Sequence, residues 1–121
     1  MKTVALVEDT PDIVEMLSYA LQSHGYECLP FSNGRDFLAA LDSIQFDLLI
    51  LDLMLPLVSG EDILREMEDR GKLSDLKLVI YSALVHPETI AQKFSITQVI
   101  VVKKPGKIND LLQAVKTMLG E

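Results

Sequence analysis

Five side chains with complementary chemistry punctuate this chain: the carboxylates of Glu8, Asp9 and Asp52, the hydroxyl of Ser82 and the ammonium of Lys104. Glu8-Asp9, Asp52, Ser82 and Lys103-Lys104 each follow a short apolar run. Taken singly, each has an ordinary reading: Asp9 as a turn residue, Ser82 as the start of a turn. All five together are harder to explain that way, because the types complement one another and every one stands just past a strand-like segment. Three carboxylates gathered within a few ångströms repel one another, and each resists ionising alone. Such a cluster persists where a hard cation sits among the oxygens, and all-oxygen donors suit Mg²⁺. Lys104 then offsets part of the remaining charge.

The elements that must position these groups read as strand and helix in strict alternation. Thr3–Val7 is a short strand. Thr10-Pro11 opens a helix, with Thr10 as cap and Pro11 at the first helical position, and Ile13, Leu17, Ala20 and Leu21 share its apolar face until His24-Gly25. Tyr26–Phe31 is a second strand, and Ser32-Asn33-Gly34 turns into a helix carrying Phe37, Leu38, Leu41 and Ile44. Asp47–Leu51 is the most apolar strand, followed by a loop over Leu53–Val58 and a helix capped by Ser59 and closed by Gly71. Leu76–Tyr81 is the fourth strand, Pro87 opens a short helix with Ile90 and Phe94, and Gln98–Val102 is the fifth strand. Ile108, Leu111, Leu112, Val115 and Leu119 form a final amphipathic helix.

This pattern predicts an α/β fold over residues 1–121, a five-stranded parallel sheet with helices on both faces. The strand order expected is 2-1-3-4-5, the flavodoxin-like solution, and in such sheets the functional crevice lies at the carboxyl ends of the strands.

Composition narrows the function classes. The chain has 121 residues, 49% hydrophobic and 24% charged, as expected of a single globular domain. Its net charge is −7, and no Lys/Arg cluster provides a phosphate-binding stripe, so direct nucleic-acid binding is disfavoured. No apolar stretch approaches the roughly 20 residues that span a bilayer. The single Cys28 reads as a small buried hydrophobe and suits a reducing compartment, so cytoplasm is the expected location.

Glu8-Asp9, Asp52-Leu53-Met54-Leu55-Pro56 with Gly60, Ser82-Ala83 and Lys104-Pro105 together resemble the receiver domain of bacterial two-component response regulators, over essentially the whole chain. By this resemblance Asp52 is the phosphoacceptor. Glu8, Asp9, Asp52 and the backbone carbonyl of Met54 hold Mg²⁺, and Ser82 and Lys104 contact the phosphoryl oxygens. The donor is a phosphohistidine on a sensor histidine kinase or phosphotransfer protein, and the output is a change in partner binding. The chemistry agrees: an ionised carboxylate can attack phosphorus to form an acyl phosphate, and a cation, an ammonium and a hydroxyl stabilise the transferring group. The resemblance implies a phosphoacceptor with slow autophosphatase activity rather than an enzyme in the ordinary sense.

Several positions depart from the family pattern. Val101 stands where an aromatic ring usually swings inward on phosphorylation. Ser95–Gln98 lacks the usual acidic stretch and the fourth helix is short, so a monomer, or a dimer made through another face, is expected. Lys103 beside Lys104 is unusual, and strand alternation points it away from the site, toward solvent. Gly106 replaces an aromatic residue, which predicts a looser corner. Met54 and Leu84, two residues after Asp52 and Ser82, are apolar where polar groups accompany fast hydrolysis, which predicts a long-lived phosphorylated state.

The alternative is a phosphorylation-independent interaction domain on the same fold. A flavin enzyme is disfavoured, because Glu8-Asp9-Thr10-Pro11 is acidic where a phosphate loop would stand. A phosphatase is disfavoured because Met54 occupies the place of its second acid. The chain fits either a stand-alone receiver or one domain of a larger regulator or hybrid kinase. Its output partner is not written in the sequence.

Overall fold

The computed structural model describes Met1–Glu121. The elements run β1 (Thr3–Val7), α1 (Pro11–Ser23), β2 (Glu27–Phe31), α2 (Gly34–Ala40), β3 (Leu48–Leu51), α3 (Gly60–Asp69), β4 (Leu78–Ser82), α4 (Glu88–Lys93), β5 (Val99–Lys103) and α5 (Ile108–Leu119). All neighbouring strands pair in parallel, in the order β2-β1-β3-β4-β5.

Side-chain alternation along the strands splits the core in two. Ala5, Val7, Leu49, Leu51, Leu78 and Ile80 face one side, where Phe37 of α2, Ile63, Leu64 and Met67 of α3 and Ala91 of α4 cover them. Val4, Leu6, Leu48, Ile50, Val79 and Tyr81 face the other, under Leu17 and Leu21 of α1 and Leu111, Leu112, Val115 and Leu119 of α5. β3 is buried at every position, which explains its unbroken run of leucine and isoleucine.

The helix boundaries follow local chemistry, with some departures from expectation. Ser59 and Asp62 form a reciprocal capping box at the start of α3. Asn33 caps α2 by accepting from the Asp36 N–H at 2.8 Å. Thr10 holds the N-cap position of α1 without a side-chain cap bond, and its backbone N–H donates to Glu8 Oε1 at 3.2 Å. α2 stops at Ala40, so Ile44 packs on the core from beyond the helix rather than within it. β4 starts and ends later than the apolar pattern suggests, and Ser82 is its last residue.

Gly60 sets how closely α3 approaches the end of β3. A Cβ there would lie 2.6 Å from the Leu53 Cα and 2.7 Å from the Asp52 carbonyl oxygen, both backbone atoms that cannot swing aside. Gly60→Ala is therefore expected to cost about 1–3 kcal/mol through overpacking. Urea melts check this, and an unchanged midpoint would contradict the close approach.

Candidate functional site

The sheet itself places the chemically active residues. Just beyond β1, the Glu8 N–H donates to the Phe31 carbonyl of β2 at 3.1 Å. Just beyond β3, the Asp52 N–H donates to the Val7 carbonyl of β1 at 3.2 Å, and after β5 the Lys104 N–H donates to the Ser82 carbonyl at 3.0 Å. Each residue is thus clamped by the neighbouring strand at the carboxyl edge of the sheet.

There the side chains of Glu8, Asp9 and Asp52 converge, each with a carboxylate oxygen within 4.8 Å of the others. Glu8 is 1% and Asp52 4% exposed. The Lys104 ammonium bridges the two, donating to Glu8 Oε2 at 2.7 Å and to Asp52 Oδ2 at 2.8 Å. It also lies 5.1 Å from the centre of the Tyr81 ring, a cation–π contact. The second oxygens are also occupied: Asp52 Oδ1 accepts from the Met54 N–H at 2.9 Å, and Glu8 Oε1 accepts from the Thr10 N–H at 3.2 Å.

Burial pushes the Glu8 carboxyl above its ordinary range, against the opposing pull of Lys104. Burial also acts to lower Lys104, but hydrogen bonds and charge from Asp52 and Glu8 outweigh it and hold the ammonium above the ordinary lysine range. Three ionised carboxylates against one ammonium leave an excess of two negative charges, which a divalent cation cancels. The donor set is all oxygen and compact, so the residues fit a hard divalent ion such as Mg²⁺.

Ser82 is fully buried beside the cluster and makes no hydrogen bond to the carboxylates. Its hydroxyl oxygen accepts from the Leu84 N–H at 3.3 Å, which leaves its proton free to donate elsewhere. Val101 pairs in register with Ile80 and packs on the core, as an aliphatic strand residue should.

Lys103 is exposed, as strand alternation predicts, and its ammonium donates to the Val85 carbonyl at 3.0 Å, tying β5 to the loop after Ser82, its register partner. One expectation needs correction. The Gly106 corner is close-packed rather than loose, since a Cβ there would lie 2.8 Å from the Lys103 carbonyl oxygen.

Residues 4–116 match the family model described as the response regulator receiver domain. The chain belongs to that family. It is 29% identical over 118 residues to the phosphate regulon transcriptional regulatory protein PhoB of Pseudomonas aeruginosa, covering 98% of this chain and 52% of that protein. It is 29% identical over 119 residues to the transcriptional regulatory protein PcoR of Escherichia coli, again covering 98% and 52%. The receiver chain therefore spans about half the length of these relatives. Among solved structures, the response regulator TrrA of Thermotoga maritima, in complex with Mg²⁺-BeF, is 30% identical with a TM-score of 0.78, covering 98% of this chain and 99% of that one. The chemotaxis protein CheY4 of Vibrio cholerae is 25% identical with a TM-score of 0.84, covering 98% of each.

The bridging geometry makes an asymmetric prediction for this receiver. Lys104→Met strips the cation from buried carboxylates and is expected to cost about 3 kcal/mol at neutral pH without metal. Asp52→Asn, which relieves repulsion and leaves Lys104 on Glu8, is expected to stay within about 1 kcal/mol of wild type. A carboxyl whose folded pKa is raised binds its proton more tightly when folded. Its contribution is complete below the unfolded value and is lost as pH rises through the folded one. The Lys104→Met deficit should therefore shrink as pH falls from neutral toward the ordinary glutamate range. Urea melts of both variants across that range check it, and a pH-independent deficit would contradict it.

Proposed function

We propose that this receiver accepts a phosphoryl group on Asp52 from a phosphohistidine, in a Mg²⁺-dependent reaction, and so changes its binding to an output protein. The observation that carries this reading is the convergence of Glu8, Asp9 and Asp52 around one ammonium at the sheet edge. The Thermotoga relative in complex with Mg²⁺-BeF supports it.

An Asp52 carboxylate oxygen attacks phosphorus, the P–N bond to the donor imidazole breaks, and its electron pair stays with that nitrogen. Met54 steadies the attacking carboxylate through its N–H. Lys104 stands on Asp52 and can turn its positive charge toward the incoming phosphoryl oxygens. Ser82 supplies its spare hydroxyl proton as a donor. Glu8, Asp9, Asp52 and the Met54 carbonyl would hold Mg²⁺, which would supply charge neutralisation of the transferring group. The donor would be a sensor histidine kinase or a phosphotransfer protein. The chain acts as phosphoacceptor and slow autophosphatase, not as a turnover enzyme. It does so as a cytoplasmic monomer, without direct contact to nucleic acid or membrane.

Incubation with acetyl phosphate and Mg²⁺ should add one phosphoryl mass, mapped to Asp52 by peptide analysis and abolished by Asp52→Asn or by chelation. Absence of modification, or its location elsewhere, would sink the reading in favour of phosphorylation-independent binding.

Hydrolysis of the acyl phosphate needs a water held in line with the phosphorus bond. Met54, exposed, and Leu84, half-buried, offer no polar atom in their side chains beyond a weak thioether acceptor. A long-lived phosphorylated state follows. Met54→Asn and Leu84→Glu should each speed phosphate release by up to about tenfold, equivalent to ~1.4 kcal/mol of barrier. Equal release rates from the double variant and the wild type would mean that the two side chains do not control the water.

A further inference from the structure

Phosphoryl transfer to Asp52 calls on both of the carboxylates that hold the Lys104 ammonium. Asp52 gives an oxygen to phosphorus and loses its carboxylate charge. Glu8 is among the residues that would hold Mg²⁺. Negative charge then lies further out, on the phosphoryl oxygens, and the ammonium has to follow it. Lysine has a flexible four-carbon stem and three rotatable donors, so the side chain alone does not fix where its charge goes.

One neighbour of the ammonium is not consumed by the chemistry. Lys104 Nζ lies over the Tyr81 ring, 5.1 Å from its centre. Within the protein its N–H groups donate to Glu8 and Asp52, which leaves the third without an acceptor. The negative face of an aromatic ring attracts such a cation, most strongly away from water, and the Lys104 side chain is only 17% exposed. The ring itself is held. Tyr81 is buried in β4, pairs in register with Val102 and belongs to the core under α1 and α5. Two residues past Lys104 the chain runs along the ring's edge, where a Cβ at Gly106 would lie 3.5 Å from Tyr81 Cε1. A third carboxylate on Lys104 would cancel its charge, whereas a ring holds a cation and leaves the charge available. Resting on the phosphoacceptor reading, we infer that Tyr81 is the positioning residue for Lys104. Its ring keeps the ammonium at the sheet edge while Glu8 and Asp52 turn to other partners, so that positive charge stands ready for the phosphoryl oxygens.

The test changes the charge distribution of the ring while nearly keeping its shape. Tyr81→Phe is the reference, and phenylalanines bearing one, two and three ring fluorines are introduced at the same position. Fluorine withdraws the electron density that draws the cation and adds little bulk. Tyr81→Leu removes the ring altogether. The first readout is the rate of Asp52 phosphorylation by acetyl phosphate with Mg²⁺. The second is the NMR shift of the Lys104 ε-methylene protons in the metal-free, unphosphorylated chain. The rate should fall step by step with fluorine number, reaching roughly three- to tenfold at three fluorines and in Tyr81→Leu, the size of a cation–π contact. Tyr81→Phe should recover most of what Tyr81→Leu loses. The Lys104 protons, shifted upfield by the ring, should lose that shift in Tyr81→Leu and keep it in Tyr81→Phe. A rate that ignores fluorine number overturns the inference, even where Tyr81→Leu is slow, because the ring then acts by packing alone. A Lys104 shift that is the same in Tyr81→Leu and wild type also overturns it. A wild-type chain that acetyl phosphate leaves unmodified at Asp52 would instead overturn the phosphoacceptor reading beneath it.

Discussion

The ammonium of Lys104, shared between Glu8 and Asp52, is the interaction on which the site depends. Two almost fully buried carboxylates with a third beside them are too costly to gather without a cation. The chain meets this with one lysine, itself only 17% exposed in its side chain and resting against the Tyr81 ring. One ammonium does not balance three carboxylates, and the imbalance left over is what makes the edge receptive to a divalent ion. The same ammonium occupies Asp52 while no phosphoryl group is there, so a single side chain serves both the folded resting state and the chemistry proposed for it.

The rest of the fold keeps that arrangement in place. Two separate cores grip the sheet from opposite faces, and its backbone ladder runs on past the strands to hold Glu8, Asp52 and Lys104. Gly60 lets α3 come against the start of the loop that follows Asp52. Two non-glycine residues outside these supports, Leu57 and Ser95, take positive φ angles of 65° and 56°. Lys103 ties the other loop at this edge through Val85, from the strand whose Val101 has no ring to swing.

Much of this was legible in the sequence because it rests on patterns of period and position. The unbroken apolar runs Val4–Val7 and Leu48–Leu51 announce strands covered on both faces, and the residues at or just past the strand ends mark the candidate site. What escaped is set by which particular atoms meet and by backbone angles. Thr10 looks like a cap, but Glu8 takes its N–H and the hydroxyl caps nothing. Lys103 is as exposed as its place in the strand suggests, but its bond to the Val85 carbonyl has no mark in the sequence. Gly106 looks like slack, yet a Cβ there would crowd the Lys103 carbonyl oxygen at 2.8 Å. The strain at Leu57 leaves no trace in composition, since leucine is unremarkable until its φ is known.

The central claim is that Glu8, Asp9 and Asp52 form one divalent cation site. A Mg²⁺ titration followed by backbone amide shifts in ¹⁵N NMR tests it most directly. The account predicts saturable shifts concentrated at Glu8, Asp9, Asp52 and Met54, with weakened binding in Asp9→Asn at unchanged fold. Shifts that fail to saturate, that centre elsewhere, or that persist at full affinity in Asp9→Asn would contradict it.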